Sequence, residues 1–413
     1  MAKGRTYELA FRIGGELSRS FVSATGKAGK RLDSLKRQGM LLGAGLAAAG
    51  AGMAYAIKQA ADFETGQAKI ATLLDAQGKQ QLPQLGEAID ELSRSYGLGA
   101  DTMQEAAFQA ISASVPLAQV PKFLDAAAKA AVGGFTDVKT SVDGLTNILN
   151  AYHLTASEAE SVSDSFFVAN IRGKTTFDEL ASSLGAVAPL AEKLGVSYKD
   201  LSAVVATVSK GGVKTSEVTT QLKAALSNVL KPSEKAVKEL ARLNETMGGV
   251  PIAFGADAIN AAGGFSNWLK ILRDKTGGSA DSMGQLFKSV EGLSTILTLT
   301  SNTGMADFNA GLDDMRKGGQ TSSAFGDVAT TAAFNWNKLT QTFHSFVRAI
   351  GSAALPVVNG LLGEMADKAF DVQGGLKPLV KAKIEETVKK IAEAARSLFK
   401  WLVNTAKILD GVA

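Results

Sequence analysis

Between Thr175 and Pro232 the apolar positions fall into three helical runs with their start and stop signals in place. Phe177, Leu180, Ala181, Leu184, Val187, Ala188, Ala191 and Leu194 recur at i, i+3, i+4, i+7 spacing, which predicts one helix with an apolar face about five turns long. Thr176 with Glu179 three residues later forms a capping box at its start. Gly195 occupies the left-handed position at its end, and Ser197 with Asp200 restarts the chain as a second helix bearing Leu201, Val204, Val205 and Val208. Gly211 and Gly212 stop that helix. A third buries Val218, Leu222, Ala225, Leu226 and Val229, and Pro232 forbids its continuation.

The corner at Gly195 has two earlier counterparts. Tyr96-Gly97-Leu98-Gly99, Tyr152-His153-Leu154-Thr155 and Leu194-Gly195-Val196-Ser197 align as helix end, left-handed residue, apolar staple and N-cap. Their spacing is irregular, so this is a reused corner and not a solenoid repeat. His153 stands where the other copies have glycine, and histidine is among the better L-residues for a positive φ; a cap is therefore the expected role, ahead of metal binding or catalysis. Glycine doublets at 133, 211, 248, 263, 277 and 318 divide the chain into further short helices, and 248–255 (GGVPIAFG) is the one stretch expected to hold a brief strand. Beyond it, Leu339, Phe343, Phe346, Ile350, Ala353 and Val357 step alternately by 4 and 3, with Pro356 expected to disturb the helix. The stepping resumes through Ile384, Val388, Ile391, Ala395, Leu398, Leu402, Thr405 and Leu409, with Glu385, Glu386, Lys389, Lys390 and Glu393 on the flanks. That pattern fits a coiled coil. Phe399, Trp401 and Val403 lie off the seam and keep a core-packed or interfacial helix as alternatives.

Composition agrees with an all-α fold. Aromatics make up 7% of the 413 residues, with 43 glycines and 8 prolines, as expected of helices joined by glycine turns. Cysteine is absent, which removes disulfides, thiolate nucleophiles and cysteine-ligated zinc. Residues 1–39 hold nine Lys/Arg against three Asp/Glu, and 377–413 hold eight against four, so basic ends flank an acidic middle. A solvated helix face accounts for such clusters better than nucleic acid does, since no groove-reading motif accompanies them and sequence-specific binding is not expected. The opening MAKGRTYELAFRIGG has no apolar core of a secretory signal, so synthesis in the cytoplasm is expected. Met40 to Ile57 is uncharged but weakly hydrophobic, with small residues four apart at Gly39/Gly43 and Gly45/Ala49. A tightly packed buried helix and a membrane-competent one both fit it.

The raw material for catalysis is thin. His153 and His344 lie in separate segments without a ligand-spaced partner. The carboxylate pairs Asp90/Glu91, Asp313/Asp314 and Glu385/Glu386 are adjacent in helical sequence, so their side chains diverge by about 100° and belong on solvated faces. There is no Walker A loop and no G-x-S-x-G. No catalytic, cofactor-binding or metal-ligating residue is assigned, no cofactor is expected, and the chain reads as a structural protein.

The ordered series DFETGQAKIATLLDA with Phe63, TTFDEL, LAEKLGVSYKDL (Leu190 to Leu201), KGGVKTSEVTTQLKAALSNVLKP and NWNKLTQTFHSFVRAIGSAALPVVNGLL (Asn335 to Leu362) resembles the conserved core of tail tape measure proteins of tailed bacteriophages and phage-tail-like particles. The resemblance implies a scaffold in the lumen of the tail tube that sets tail length during assembly and leaves ahead of the DNA. Its implied partners are the tail tube protein, tail tip or baseplate hub proteins and tail assembly chaperones. It implies a place in the virion tail, in the host cytoplasm during assembly, and at the host membrane during ejection. Self-association through the C-terminal seam, most simply as a trimer, is expected from the stepping. The anticipated organisation is a basic leader with a Gly/Ala-rich helix at 1–61, a helical core at 62–334 and amphipathic helices at 335–413. A membrane-active protein inserting Met40 to Ile57 and a peptidoglycan hydrolase are the competing functions.

Overall fold

A computed structural model describes residues 42–366, and among these every regular element is helical. The predicted C-terminal seam from Ile384 to Leu409 lies outside the described residues, as do the basic leader and the carboxylate pair Glu385/Glu386. The chain divides into two units. One takes its described residues from 42–61 and 347–366; the other is Asp62–Phe346.

In the first unit, parts of α1 (Leu42–Ala71) and of the last helix, Ala332–Ala366, contribute Ala56, Val347 and Ala354 to a small buried cluster, with Ile57 and Ile350 packed against it. Gly351 meets the Ala56 carbonyl so closely that there is no room for a Cβ. No helix of the described residues is long and apolar enough to cross a membrane. The last helix also runs through Pro356, against the expectation that proline would disturb it.

The larger unit is a stack of short helices. Its first half comprises α2 (Ala76–Gln80), α3 (Leu82–Tyr96), α4 (Ala100–Ser112), α5 (Val120–Gly134), α6 (Val138–Ala151) and α7 (Ala159–Arg172). The middle holds α8 (Phe177–Ser183), α9 (Ala188–Lys193), α10 (Tyr198–Ser209) and α11 (Thr215–Leu230). Then follow α12 (Glu234–Thr246), α13 (Ala256–Ala261), α14 (Phe265–Thr276), α15 (Ala280–Leu286), α16 (Val290–Thr300), α17 (Asn302–Lys317), α18 (Gln320–Ala329) and the start of α19 (Ala332–Ala366).

Two of these helices are central. α5 packs on α3, α4, α6, α7 and α18 and buries Phe123, Leu124 and five alanines between 126 and 131. α10 packs on α7, α11 and α17, and every residue from Asp200 to Ser209 is buried. A helix enclosed on all sides can carry hydroxyls only if they are satisfied locally. Ser202 donates to the Tyr198 carbonyl at 3.0 Å, Thr207 to Ala203 at 2.8 Å, and Ser209 accepts the Lys174 amide at 2.9 Å. Small residues also bring neighbouring backbones together: a Cβ on Gly144 of α6 would lie 2.7 Å from the Ala181 Cα of α8.

The aligned corners share one geometry. Gly97, His153 and Gly195 have φ of 65°, 53° and 72°, and the amides of Leu98, Leu154 and Val196 reach back to the carbonyls of Ser93, Leu149 and Ala191 at 3.1, 2.8 and 2.9 Å. This is the six-to-one bond of a Schellman motif. Capping boxes follow at Thr155/Glu158 and Ser197/Asp200, and another opens α8 at Thr176/Glu179. The corner recurs at Ser114 (φ 71°) and Phe135 (φ 52°), where no glycine marks it. The doublet Gly133-Gly134 thus does not break its helix; it lies inside α5, and Phe135 takes the left-handed position.

Two expectations need correction. The run from Phe177 to Leu194 is not one helix but α8, a 3-10 turn at Leu184–Ala186 and α9. Pro189, at the start of α9, lacks the N–H that a continuous helix would aim at the carbonyl four residues back. The apolar pattern survived because both pieces present it to the same core: Phe177, Leu180, Leu184, Val187, Ala191 and Leu194 are all buried. The expected strand at 248–255 is absent from the described residues. The Asn244 side chain takes the place of a partner strand, donating to the Ile252 carbonyl and accepting from its amide, both at 2.8 Å.

The corners generate a paired prediction. Replacing His153 by glycine should stabilise the protein by about 1 kcal/mol, because glycine adopts a positive φ without the Cβ penalty. Gly195→Ala should destabilise it by a similar ~1 kcal/mol or more. Urea denaturation midpoints check both signs; equal midpoints for the parent and both variants would remove the conformational account of the corner.

Candidate functional site

The described residues gather no constellation suited to chemistry. No group of three or more His, Asp and Glu among them is placed to hold a metal ion. His153 is a helix-end residue at φ 53° and His344 lies on α19 beside the Phe343 ring, at 6.4 Å between centroids. Asp90 is engaged by the Ser345 hydroxyl and Arg94, and Asp313 by Arg316 at 2.7 Å. A hollow of about 670 Å³ beside the Gly97 corner is lined by Tyr96, Leu98, Val132, Phe135, Val328 and Phe334, an apolar wall without an acid and base facing one another. The Tyr96 hydroxyl donates to Asp125, and burial first, then that hydrogen bond, raises its pKa. Tyr96 is thus a neutral packing group.

What the larger unit does contain is a clasp that sequence reasoning missed. α7 carries Glu160, Ser163 and Asp164 on one face, by i, i+3, i+4 spacing, and all three engage the start of α18. Asp164 accepts the amides of Gly319 and Thr321, each at 2.7 Å, with a different oxygen for each. Thr321 and Ser322 add hydroxyl bonds to Ser163 at 2.9 Å and to Glu160 at 2.7 Å. Two turns on, Arg172 Nε donates to Asp314 of α17 at 2.6 Å. A helix N-terminus has amides without intrahelical acceptors, and α18 has no capping side chain of its own at Gly319. A carboxylate 155 residues away supplies the cap. The sequence signal was an acid inside an apolar run, SVSDSFFVAN, where a buried carboxylate needs fixed donors. α18 then packs along α5, where a Cβ on Gly133 would stand 2.9 Å from the Phe325 amide nitrogen. Phe325 in turn meets the rings of Tyr96 and Phe334, the latter on α19. The clasp therefore fixes the beginning of α19, the last helix among the described residues.

The arrangement is one of helices held by helices, and comparison with known proteins places it. The sequence profile of the family described as phage-related minor tail protein matches residues 86–399. The chain belongs to that family. A probable tape measure protein of Clostridium phage phiCD119 is 28% identical over 261 residues, covering 58% of this chain and 28% of that protein. A tape measure protein of Pneumococcus phage Dp-1 is 28% identical over 214 residues, covering 49% of this chain and 18% of that protein. The chain thus aligns with under a third of the length of either relative. No solved structure matches.

In this minor tail protein two carboxylates give opposite pH signatures. Asp314 titrates below the ordinary 3.8 because of its hydrogen bonds to Lys317 and Arg172. Its stabilisation is present above that value and is lost as pH falls through the lowered one. Asp200 is pushed up from 3.8 by burial, against hydrogen bonds from Ser197. It therefore favours the fold while protonated and loses that contribution as pH rises through its raised value. Asp314→Asn should flatten the acid limb of a stability-against-pH curve, and Asp200→Asn should remove a decline on its neutral side. For the clasp, Asp164→Ala should cost about 1 to 3 kcal/mol in urea denaturation, the range for stranding buried donors. Amide exchange should then accelerate at Gly319 and Thr321 first; unchanged exchange there would show that the cap does not hold α18.

Proposed function

We propose that this chain acts as a tail tape measure: an extended helical scaffold in the lumen of a growing tail tube, around which tube subunits polymerise until its length is used up, and which leaves ahead of the DNA. The family match over 86–399 carries the reading, and two relatives bear the tape measure name. The all-helical fold among the described residues supports it, because a helix converts residue number into length at about 1.5 Å per residue. In this role the protein is structural and not enzymatic. Its partners are the tail tube protein, tail tip or baseplate hub proteins and assembly chaperones. It resides in the virion tail, passing through the host cytoplasm during assembly and reaching the host membrane at ejection.

Under this reading 62–334 is a folded body and 335–413 the part that elongates. Drawn out as one helix, 413 residues would reach roughly 620 Å. The folded helices of Asp62–Phe346 make the working length much shorter. The seam from Ile384 to Leu409 joins copies as a trimer, since its 4-3 stepping gives each helix one apolar edge.

The test is tail length by electron microscopy. In-frame removal of Glu386 to Phe399, two heptads, should shorten tails by about 21 Å, and duplicating the same stretch should lengthen them equally. The 14-residue step keeps the seam in register. Tails that keep their length in both variants would falsify the ruler role of this segment.

A further inference from the structure

α11 and α16 pack directly on each other, and both on α10, although residues 231–289 lie between them in the chain. They run antiparallel. A Cβ on Gly292 would stand 2.9 Å from the Ala225 amide nitrogen, and one turn on, Thr295 donates to Gln221 at 3.1 Å. Gln221, Ala225, Gly292 and Thr295 are all buried. The chain therefore leaves the packed body around α10 at Leu230 and returns to it beside the point of departure, and the body closes there without using 231–289.

That intervening stretch builds a core of its own. α12 packs on α14 and α15, and α13 on α14. Leu240, Leu243, Ile252, Trp268, Met283 and Phe287 are buried, and the Phe254 ring meets Trp268 and Phe287 at 5.7 and 5.4 Å between centroids. Its polar groups are satisfied from within. Asn244 holds Ile252, and the Trp268 indole donates to the Ala253 carbonyl at 2.9 Å. The Lys275 ammonium, on a residue only 4% exposed, donates to the carbonyls of Met247 and Gly248 at 2.7 and 3.2 Å. Attachment to the body is sparse by comparison: α14 packs on α16 and α17, with Phe265 on Phe308 at 6.2 Å, and α15 packs on α16. Among the described residues a single side-chain hydrogen bond crosses from 233–288 to the body, Ser266 to Asn309 at 2.6 Å, and it is exposed. Both connections lie open to water at Leu230, Lys231, Lys288 and Val290.

We propose that 231–289 is a lid that opens from the body as one cooperative piece while α10, α11 and α16 stay packed. Contacts that are dense within a segment and thin across its border make that segment a separate unit of local unfolding. Closed, the lid covers Phe308 of α17; open, it uncovers that apolar site and leaves the enclosed α10 as it is. Because α11 holds α16, the two ends of the open segment remain together, so reclosing requires no new loop closure. The inference rests on packing alone and not on the tape measure reading.

The experiment is native-state amide exchange on the full chain at increasing urea. Amides of α12 and α14, such as Leu240, Leu243 and Leu272, should share one opening with a smaller urea dependence than that of Val204 and Val205 in α10. Asn244→Ala strands the buried Ile252 backbone groups and should accelerate exchange in α12 and α14 at least about tenfold, with α10 unchanged. Trp268→Ala, which removes a ring from the lid core, is the stronger form of the same test. Conversely, Val205→Ala should accelerate α10 and leave α12 and α14 as in the parent. Were the larger unit to open all together, each variant would accelerate both regions equally. A single opening shared by α10 and α14 in the parent, acceleration that spreads to α10 in Asn244→Ala and Trp268→Ala, or none in α12 and α14 in either variant would overturn the proposal.

Discussion

Enclosing α10 on every side, and α5 on all but one narrow edge, is the constraint from which the larger unit follows. α10 has no solvent face from Asp200 to Ser209, and α5 keeps only a narrow one at Lys122, Asp125 and Lys129, so the remaining side chains must be small enough for neighbours to approach closely, and any polar group must be satisfied at short range. Alanine, serine, threonine and valine meet both requirements. The hydroxyls of α10 turn back onto their own helix, while the alanines of α5 let α3, α4, α6, α7 and α18 close around it. Where even a methyl is too large, glycine remains, as at Gly144 against α8 and Gly133 against α18. A change of one methylene in such a core is therefore felt through backbone displacement as well as lost burial.

The periphery is organised differently. Short helices need frequent reversals, and the chain meets that need with one corner, a left-handed residue followed by a back-reaching amide, at Gly97, Ser114, Phe135, His153 and Gly195. Three of these lack glycine, so local backbone strain is accepted in order to set the helix axes. Elements distant in sequence are then joined by polar clasps. Asp164 caps α18, Arg172 ties α7 to Asp314 and Lys210 reaches Asp307 at 2.7 Å. These contacts give α19 a fixed origin while leaving its Trp336, Leu339 and Phe343 edge open.

Charge in the larger unit is used for architecture at several of these points. Among the described residues Asp200 belongs to a capping box, and Asp314 joins Arg172 to Lys317.

The sequence alone determined the all-α class, the buried faces from Phe177 to Val229, the capping boxes at Thr176 and Ser197 and the corners at Gly97, His153 and Gly195. These features are local: they depend on 3.6-residue periodicity and on a few side chains within one turn of the backbone they satisfy. The sequence also made the 4-3 stepping of α19 visible, but not which way that edge faces. Only the tertiary structure decided this: Phe334 packs on Phe325 while Trp336, Leu339 and Phe343 stay exposed, and farther along the same stepping Ile350 packs against the cluster of Ala56, Val347 and Ala354. It likewise decided that Phe135 and Ser114 adopt positive φ, that Asn244 replaces a strand at Ile252, and that Asp164 finds donors 155 residues away. Each of these depends on a partner brought near by packing, and no periodicity along the chain encodes a distance across it.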